Sequence, residues 1–248
     1  MSKTSPRAES AYQALRRAII EQALLPGAKL PEDQIGAHFG MSRTLVRATL
    51  GRLHAEGLVD ARPKRTVTVA QPSLEEAREV FAVRRALERE AVALVIQRWR
   101  AEYGAELEGH VREETAARAR GDDRVSIRLA GEFHIKLAAM SGNRVLERYL
   151  GELVSRCSLI LALYGRPHSS ECAVNEHSEI IAALRRGDAD FAIRRMDEHV
   201  GSVEKRALLA GVADAEPDLG SILSRYAEAI EAAKSAVALK DRGRRGAR

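Results

Sequence analysis

The chain has 248 residues, of which 45% are hydrophobic, 4% aromatic and 30% charged. At roughly 100–200 residues per domain, this length predicts one large domain or two smaller ones. The longest wholly apolar run, Ala91 to Ile96, is far short of the ~20 residues of a membrane-spanning helix. Residues 1–10 lack the apolar core of a secretory signal, so a cytoplasmic protein is expected. In that compartment Cys157 and Cys172 read as buried thiols rather than a disulfide. Charge is uneven. Residues 1–70 hold 11 Lys/Arg and 6 Asp/Glu, residues 238–248 hold 5 and 1, and the whole chain is +5, which leaves about −4 for 71–237. A basic head on an acidic body points to a polyanionic partner for the head.

The first elements read helix, helix, helix, hairpin. A helix over 11–24 carries Leu15, Ala18, Ile19 and Gln22 at helical spacing and stops at Pro26-Gly27. A short helix over 32–39 turns Ile35 and Phe39 inward, and Gly40 suits a left-handed end. Ser42 is a good N-cap for a third helix whose Val46, Leu50 and Leu53 form a core stripe. Leu58-Val59 and Thr66 to Val69 are β-prone and flank the basic turn Arg62-Pro63-Lys64-Arg65, which predicts a hairpin. This order is that of a winged helix-turn-helix, whose second helix enters a major groove. Arg43, Thr44 and Arg47 lie off the core stripe of the third helix. Arg suits the acceptors of guanine, and Ser42 and Thr44 suit phosphates. Lys64, Arg65 and Thr66 sit at the hairpin tip, within reach of backbone or minor groove. The alternative is a solvated charged face on a helical hairpin.

Gln71-Pro72 reads as a linker, and Ser73 to Glu76 as a capping box opening a new helix. Helices are predicted over 73–99, 102–120, 123–140, 143–165, 173–186 and 189–210, with a further one over about 218–239. The fold class expected is therefore mainly α. A winged helix-turn-helix spans 1–72, an all-helical antiparallel bundle 73–240, and a basic, disordered tail 241–248.

Three histidines stand out in the bundle. His134 shares a face with Ala130, Phe133 and Leu137; His177 with Val174, Ile180, Ile181 and Leu184; His199 with Ala192, Met196 and Val203. One such residue is usually a satisfied core histidine. Three on three inward faces suit a divalent metal, zinc or a similar ion such as nickel, with positions left open. His38, His54, His110 and His168 show no comparable pattern.

Leu25 to Glu32, then Met41 to Arg47, then Leu53-His54-Ala55-Glu56-Gly57-Leu58-Val59 resemble the winged helix of the GntR family of bacterial transcription regulators. The resemblance implies DNA contacts from Arg43, Thr44 and Arg47, with Lys64 to Thr66 as the wing. Leu45 stands where relatives often have Pro, Ala48 where they have Glu, and Thr66 where the wing usually has Gly. Thr resists positive φ, so a close backbone approach of the wing to DNA is in question. Pro31-Glu32-Asp33 also places an acidic residue where some relatives use Arg.

Gly131-Glu132-Phe133-His134, Ser141-Gly142-Asn143, Glu176 to Ile181, Gly187-Asp188 and Met196-Asp197-Glu198-His199 are similar to the FCD effector domain, which defines the FadR-type branch of that family. The resemblance implies a metal held by His134, His177 and His199 beneath a small-molecule pocket. It also implies a fourth ligand, Asp or Asn, one turn before His134, where this chain has Ala130. Glu132 is no substitute, since two residues turn a helix by about 200°. The metal would have three protein ligands plus water or effector. A cation with open positions favours a carboxylate effector, and a carboxylate favours an Arg. By the resemblance Arg84 lines the pocket; its alternative is a surface ion pair with Glu88. Arg156 and Tyr164 are further effector-binding candidates, whereas Asn143 reads as a helix cap.

The function expected is a ligand-responsive regulator, by resemblance a repressor, that binds a palindromic double-stranded operator as a homodimer. One rival is a metalloenzyme that uses the three histidines with Glu176 or Glu198 as base. Both Glu residues adjoin a His, about 100° off its face, and no His-Glu-x-x-His pattern exists. The other rival is a helical interaction module with an incidental basic head.

Overall fold

Local capping chemistry divides the chain into its elements. In a computed structural model, residues 5–63, 65–165 and 171–208 are described, with 219–220, 223–224 and 226–228. Helix α1 (Pro6–Ile20) opens on a proline, whose missing N–H costs nothing at a helix start. It ends earlier than its apolar spacing predicts. Gln22 adopts φ 55°, and the amides of Ala23 and Leu24 turn back onto the Ala18 carbonyl at 2.8 and 3.0 Å. The expected helix through Leu24 is therefore closed by a left-handed residue before Pro26-Gly27 is reached. Strand β1 (Lys29–Leu30) follows, then α2 (Glu32–Phe39), ended by Gly40 at φ 60°. Ser42 Oγ accepts the Leu45 amide and starts α3 (Arg43–Ala55). Strands β2 (Val59–Asp60) and β3 (Val67–Val69) form the expected hairpin. β1 was not anticipated. It pairs antiparallel with β3, Leu30 opposite Val67, so the sheet has three strands in the order β1-β3-β2.

The described residues of 1–19, 23–70 and 215–248 form one compact unit, and those of 20–22 and 71–214 the other. The first buries Leu15, Ile19, Leu30, Ile35, Leu50 and Leu53. Tyr12 and Arg16 of α1 bond to Glu56, and Arg52 of α3 pairs with Glu9 at 2.7 Å and lies over the Tyr12 ring. These contacts lock α1 across α3.

Among the described residues the second unit has six helices: α4 (Leu74–Gln97), α5 (Ala101–Ala119), α6 (Asp123–Met140), α7 (Arg144–Tyr164), α8 (Glu171–Arg186) and α9 (Ala189–Ala207). Ser73, Asp122, Asn143 and Asp188 each accept a backbone amide of the first turn that follows. Asn143 is thus a cap, as expected. Phe81, Val95, Phe133, Leu137, Ile160 and Met196 belong to one continuous core. α4 packs against α6, α7 and α9, α5 against α6 and α8, and α8 against α9. The faces of α6, α8 and α9 are thereby brought together. Cys157 is buried and free, while Cys172 lies outside the described side chains. The expected helix over 218–239 is described only in part, and the expected tail 241–248 lies outside the described residues, as do Lys64 and His168. Among the described residues no helix is long and apolar enough to cross a membrane.

Candidate metal centre and nucleic-acid interface

Periodicity turns α3 two ways at once. Val46, Leu50 and Leu53 are buried, while Ser42, Arg43, Thr44 and Arg47 are exposed. Arg47 is 75% exposed, with Nε 3.9 Å from Glu32 Oε1, so Glu32 tethers it only loosely. At the wing, Arg65 and Thr66 are exposed, and the Arg65 amide closes a turn on the Arg62 carbonyl. Among the described residues Gln22 is the one non-glycine with positive φ, so Thr66 sits in ordinary backbone. At Thr66 the wing does not use the left-handed backbone that a glycine there would serve.

In the helical unit, His134 (α6), His177 (α8) and His199 (α9) are all buried and converge. His199 Nε2 stands 3.1 Å from His134 Nε2 and 3.3 Å from His177 Nε2. Nitrogens about 2.0–2.1 Å from a tetrahedral ion stand about 3.3–3.4 Å apart, so the spacing fits three ligands of one cation. The His177 ring stacks on Phe133 at 4.0 Å between centroids, and His134 stacks on His199. Burial, with Arg84 and His177 nearby, holds His134 well below the usual imidazole range. Burial and the two other imidazoles do the same for His199. Both are thus neutral, as ligands must be.

The far nitrogens face carboxylates. His177 Nδ1 lies 3.0 Å from Glu114 Oε2, and His199 Nδ1 lies 2.7 Å from Glu176 Oε2. His134 Nδ1 lies 2.7 Å from Glu88 Oε1, close in distance but outside hydrogen-bond geometry. Glu88 Oε1 also accepts from Arg84 Nε at 3.1 Å, with both side chains buried, 4% and 0% exposed. Burial pushes the Glu88 carboxyl up, against the pull of Arg84.

Sequence reasoning did not find these pairings, and it named Glu176 only as the base of the rival metalloenzyme reading. Glu88 was seen only as a surface partner of Arg84; the pair forms, but in the core. Glu114 carries a signal, since it shares the buried face of α5 with Leu107 and Val111, where a carboxylate is out of place. Glu176 adjoins His177 in sequence, yet it reaches His199 on the neighbouring helix. Glu198 points away, to Arg195, and is 63% exposed. Glu132 likewise pairs with Arg128. Of the three effector candidates, Arg84 lies beside the histidines. Arg156 is paired with Glu76, and the Tyr164 hydroxyl donates to the Pro72 carbonyl at 2.9 Å, so these two are engaged at the start of α4. His110 is a satisfied core histidine, with Nε2 2.7 Å from the Leu129 carbonyl.

Known proteins match both units. The family model for bacterial regulatory proteins of the gntR family matches residues 7–69, and that for the FCD domain matches 79–202. The chain is 27% identical over 203 residues to the Bacillus subtilis protein YdhC, an uncharacterized HTH-type transcriptional regulator, covering 80% of this chain and 90% of that one. It is 24% identical over 210 residues to the Escherichia coli HTH-type transcriptional repressor RspR, covering 83% and 90%. Among solved structures, E. coli McbR/YncC superposes with a TM-score of 0.71 at 24% identity, over 79% of this chain and 94% of that one. The chain belongs to the gntR family of bacterial regulatory proteins and carries an FCD domain, which makes it a transcriptional regulator rather than an enzyme.

Proposed function

We propose that the protein is a ligand-responsive repressor that binds a palindromic operator as a homodimer and carries a metal-assisted site for a small carboxylate in its helical unit. The observation that carries the DNA reading is the α3 surface. Arg43, Thr44 and Arg47 stand exposed behind a capped first turn, opposite a fully buried apolar stripe. Arg43 and Arg47 are placed to read guanine edges, and Ser42, Arg65 and Thr66 to hold backbone phosphates. Lys64 belongs to the same wing by sequence. The name of RspR supports the sign, repression.

His134, His177 and His199 hold a divalent ion, zinc first among the candidates. When bound, the ion supplies open Lewis-acidic positions for an anionic oxygen. Arg84, buried beside the cluster, orients the carboxylate and balances its charge. Arg156 and Tyr164, the further effector-binding candidates, bond to Glu76 and to the Pro72 carbonyl at the start of α4. An effector that prefers one arrangement of α4 would then bias the regulator between two states.

Footprinting of the purified protein on genomic DNA tests this reading. A protected palindrome is expected, with affinity that falls steeply as salt rises. Arg43→Ala with Arg47→Ala should abolish the footprint, each lost base contact costing about 1–3 kcal/mol. Sequence-specific binding unchanged in the double variant would overturn it.

A further inference from the structure

Three imidazole ligands bring no negative charge to a cation, and Ala130 offers no ligand atom. The structure places three carboxylates directly behind them instead, one for each ring and from three helices: Glu88 on α4, Glu114 on α5 and Glu176 on α8. All three are buried, at 0%, 0% and 7% exposure. Glu88 Oε2 and Glu114 Oε1 have no hydrogen-bond partner. An anionic oxygen left so is costly in a protein interior unless positive charge stands close by. The buried guanidinium of Arg84 is the one such cation among the described residues, and of the three carboxylates it pairs with Glu88.

Proton accounting points the same way. A carboxylate accepts, so an imidazole bound to it donates through Nδ1. For His177 and His199 that leaves a lone pair on each Nε2, and these two atoms converge at 3.3 Å, with His134 Nε2 3.1 Å from His199 Nε2. Such lone pairs repel one another unless a cation sits between them.

We propose that Glu88, Glu114 and Glu176 are positioning residues of the metal centre, a ring of carboxylates in which Glu114 and Glu176 fix the Nε2-ligating tautomer of His177 and His199, Glu88 stands against His134, and all three supply the negative charge that the missing ligand at position 130 would have given. The inference rests on the reading that the histidines hold a divalent ion. It extends the site from three helices to five, since α4 and α5 join through their carboxylates. Partners of this kind raise ligand basicity and typically change metal affinity 10–100-fold.

The test uses full-length, tag-free protein stripped of metal, with zinc alone as the probe and a chromophoric chelator as competitor. Glu114→Gln and Glu176→Gln are the informative variants, since Glu88→Gln would also strand Arg84. Each should weaken zinc binding 10–100-fold. A merely structural role would lower the melting temperature of the metal-free protein. A positioning role leaves it unchanged or raises it, because a buried anion has been removed, and shrinks only the rise that zinc produces. Nitrogen NMR of the zinc-loaded wild type should show Nδ1 protonated and Nε2 bound in His177 and His199. Zinc affinity within threefold of wild type in both variants, or ligation through Nδ1, would overturn the proposal while leaving the metal reading intact. Wild-type protein that takes up no zinc overturns the metal reading and this inference together. If Glu114→Gln does not fold, Glu176→Gln at the edge of the cluster decides alone.

Discussion

At the scale of single residues, Ala130 and Thr66 are two of this chain's departures from its family's pattern, and they differ in consequence. Thr66 proves harmless to the local backbone, because the wing turns without a positive φ at that point. Ala130 lies one turn before His134 on α6 and is half-buried, so it withholds a ligand from the side of the cluster where one could reach. Ala130→Asp should therefore tighten zinc binding at least about tenfold, a factor worth about 1.4 kcal/mol. Chelator competition reads this directly, and an unchanged affinity would show that position 130 faces away from the ion. The carboxylates behind the histidines carried weaker sequence signals. A glutamate on an apolar helix face, as at Glu88 and Glu114, marks a buried charge, but nothing local says what neutralises it.

At the scale of elements, helix caps were readable from sequence because they are local. Ser42, Ser73 and Asn143 all cap as their side chains predict. β1 was not, because two residues between a turn and a helix carry no period, and their partner β3 lies far along the chain. The pairing of α1 with α3 is also non-local, and it makes a pH prediction. Tyr12 is raised to about 12, by burial first and then by its bond to Glu56. In the unfolded chain a tyrosine ionises near pH 10. The folded unit keeps its proton longer, so the stability this contact provides is complete below pH 10 and is lost as pH rises from 10 to 12. Tyr12→Phe should cost about 1 kcal/mol at pH 8. It should also remove that part of the alkaline loss, as measured by denaturant unfolding at pH 8, 10 and 11. An equal alkaline loss in the variant would refute the assignment.

At the scale of the whole molecule, the proposed dimer needs a self-complementary face. Val145 and Tyr149 stand one turn apart on α7, 59% and 48% exposed, and Val83 on α4 is 52% exposed. Large apolar side chains left in water side by side, as Val145 and Tyr149 are, make a candidate interface. Tyr149→Glu with Val145→Glu should shift the protein from dimer to monomer in sedimentation. The same variant should weaken binding to a palindromic operator at least tenfold while sparing the α3 contacts to a half-site. A variant that still sediments as a dimer would place the interface elsewhere.

The sequence by itself determined the helical and β-prone segments, the exposed arginines of α3 and the inward faces of His134, His177 and His199. Each of these follows from period, capping and side-chain type within a few residues of chain. Tertiary structure decided which groups meet: Glu114 with His177, Glu176 with His199, Glu88 with His134, and β1 with β3. The physical reason is geometric. Helical period fixes which side of its own helix a residue faces. It leaves open the rotation and height of that helix against its neighbours, and with them the partner that a side chain finds across the gap.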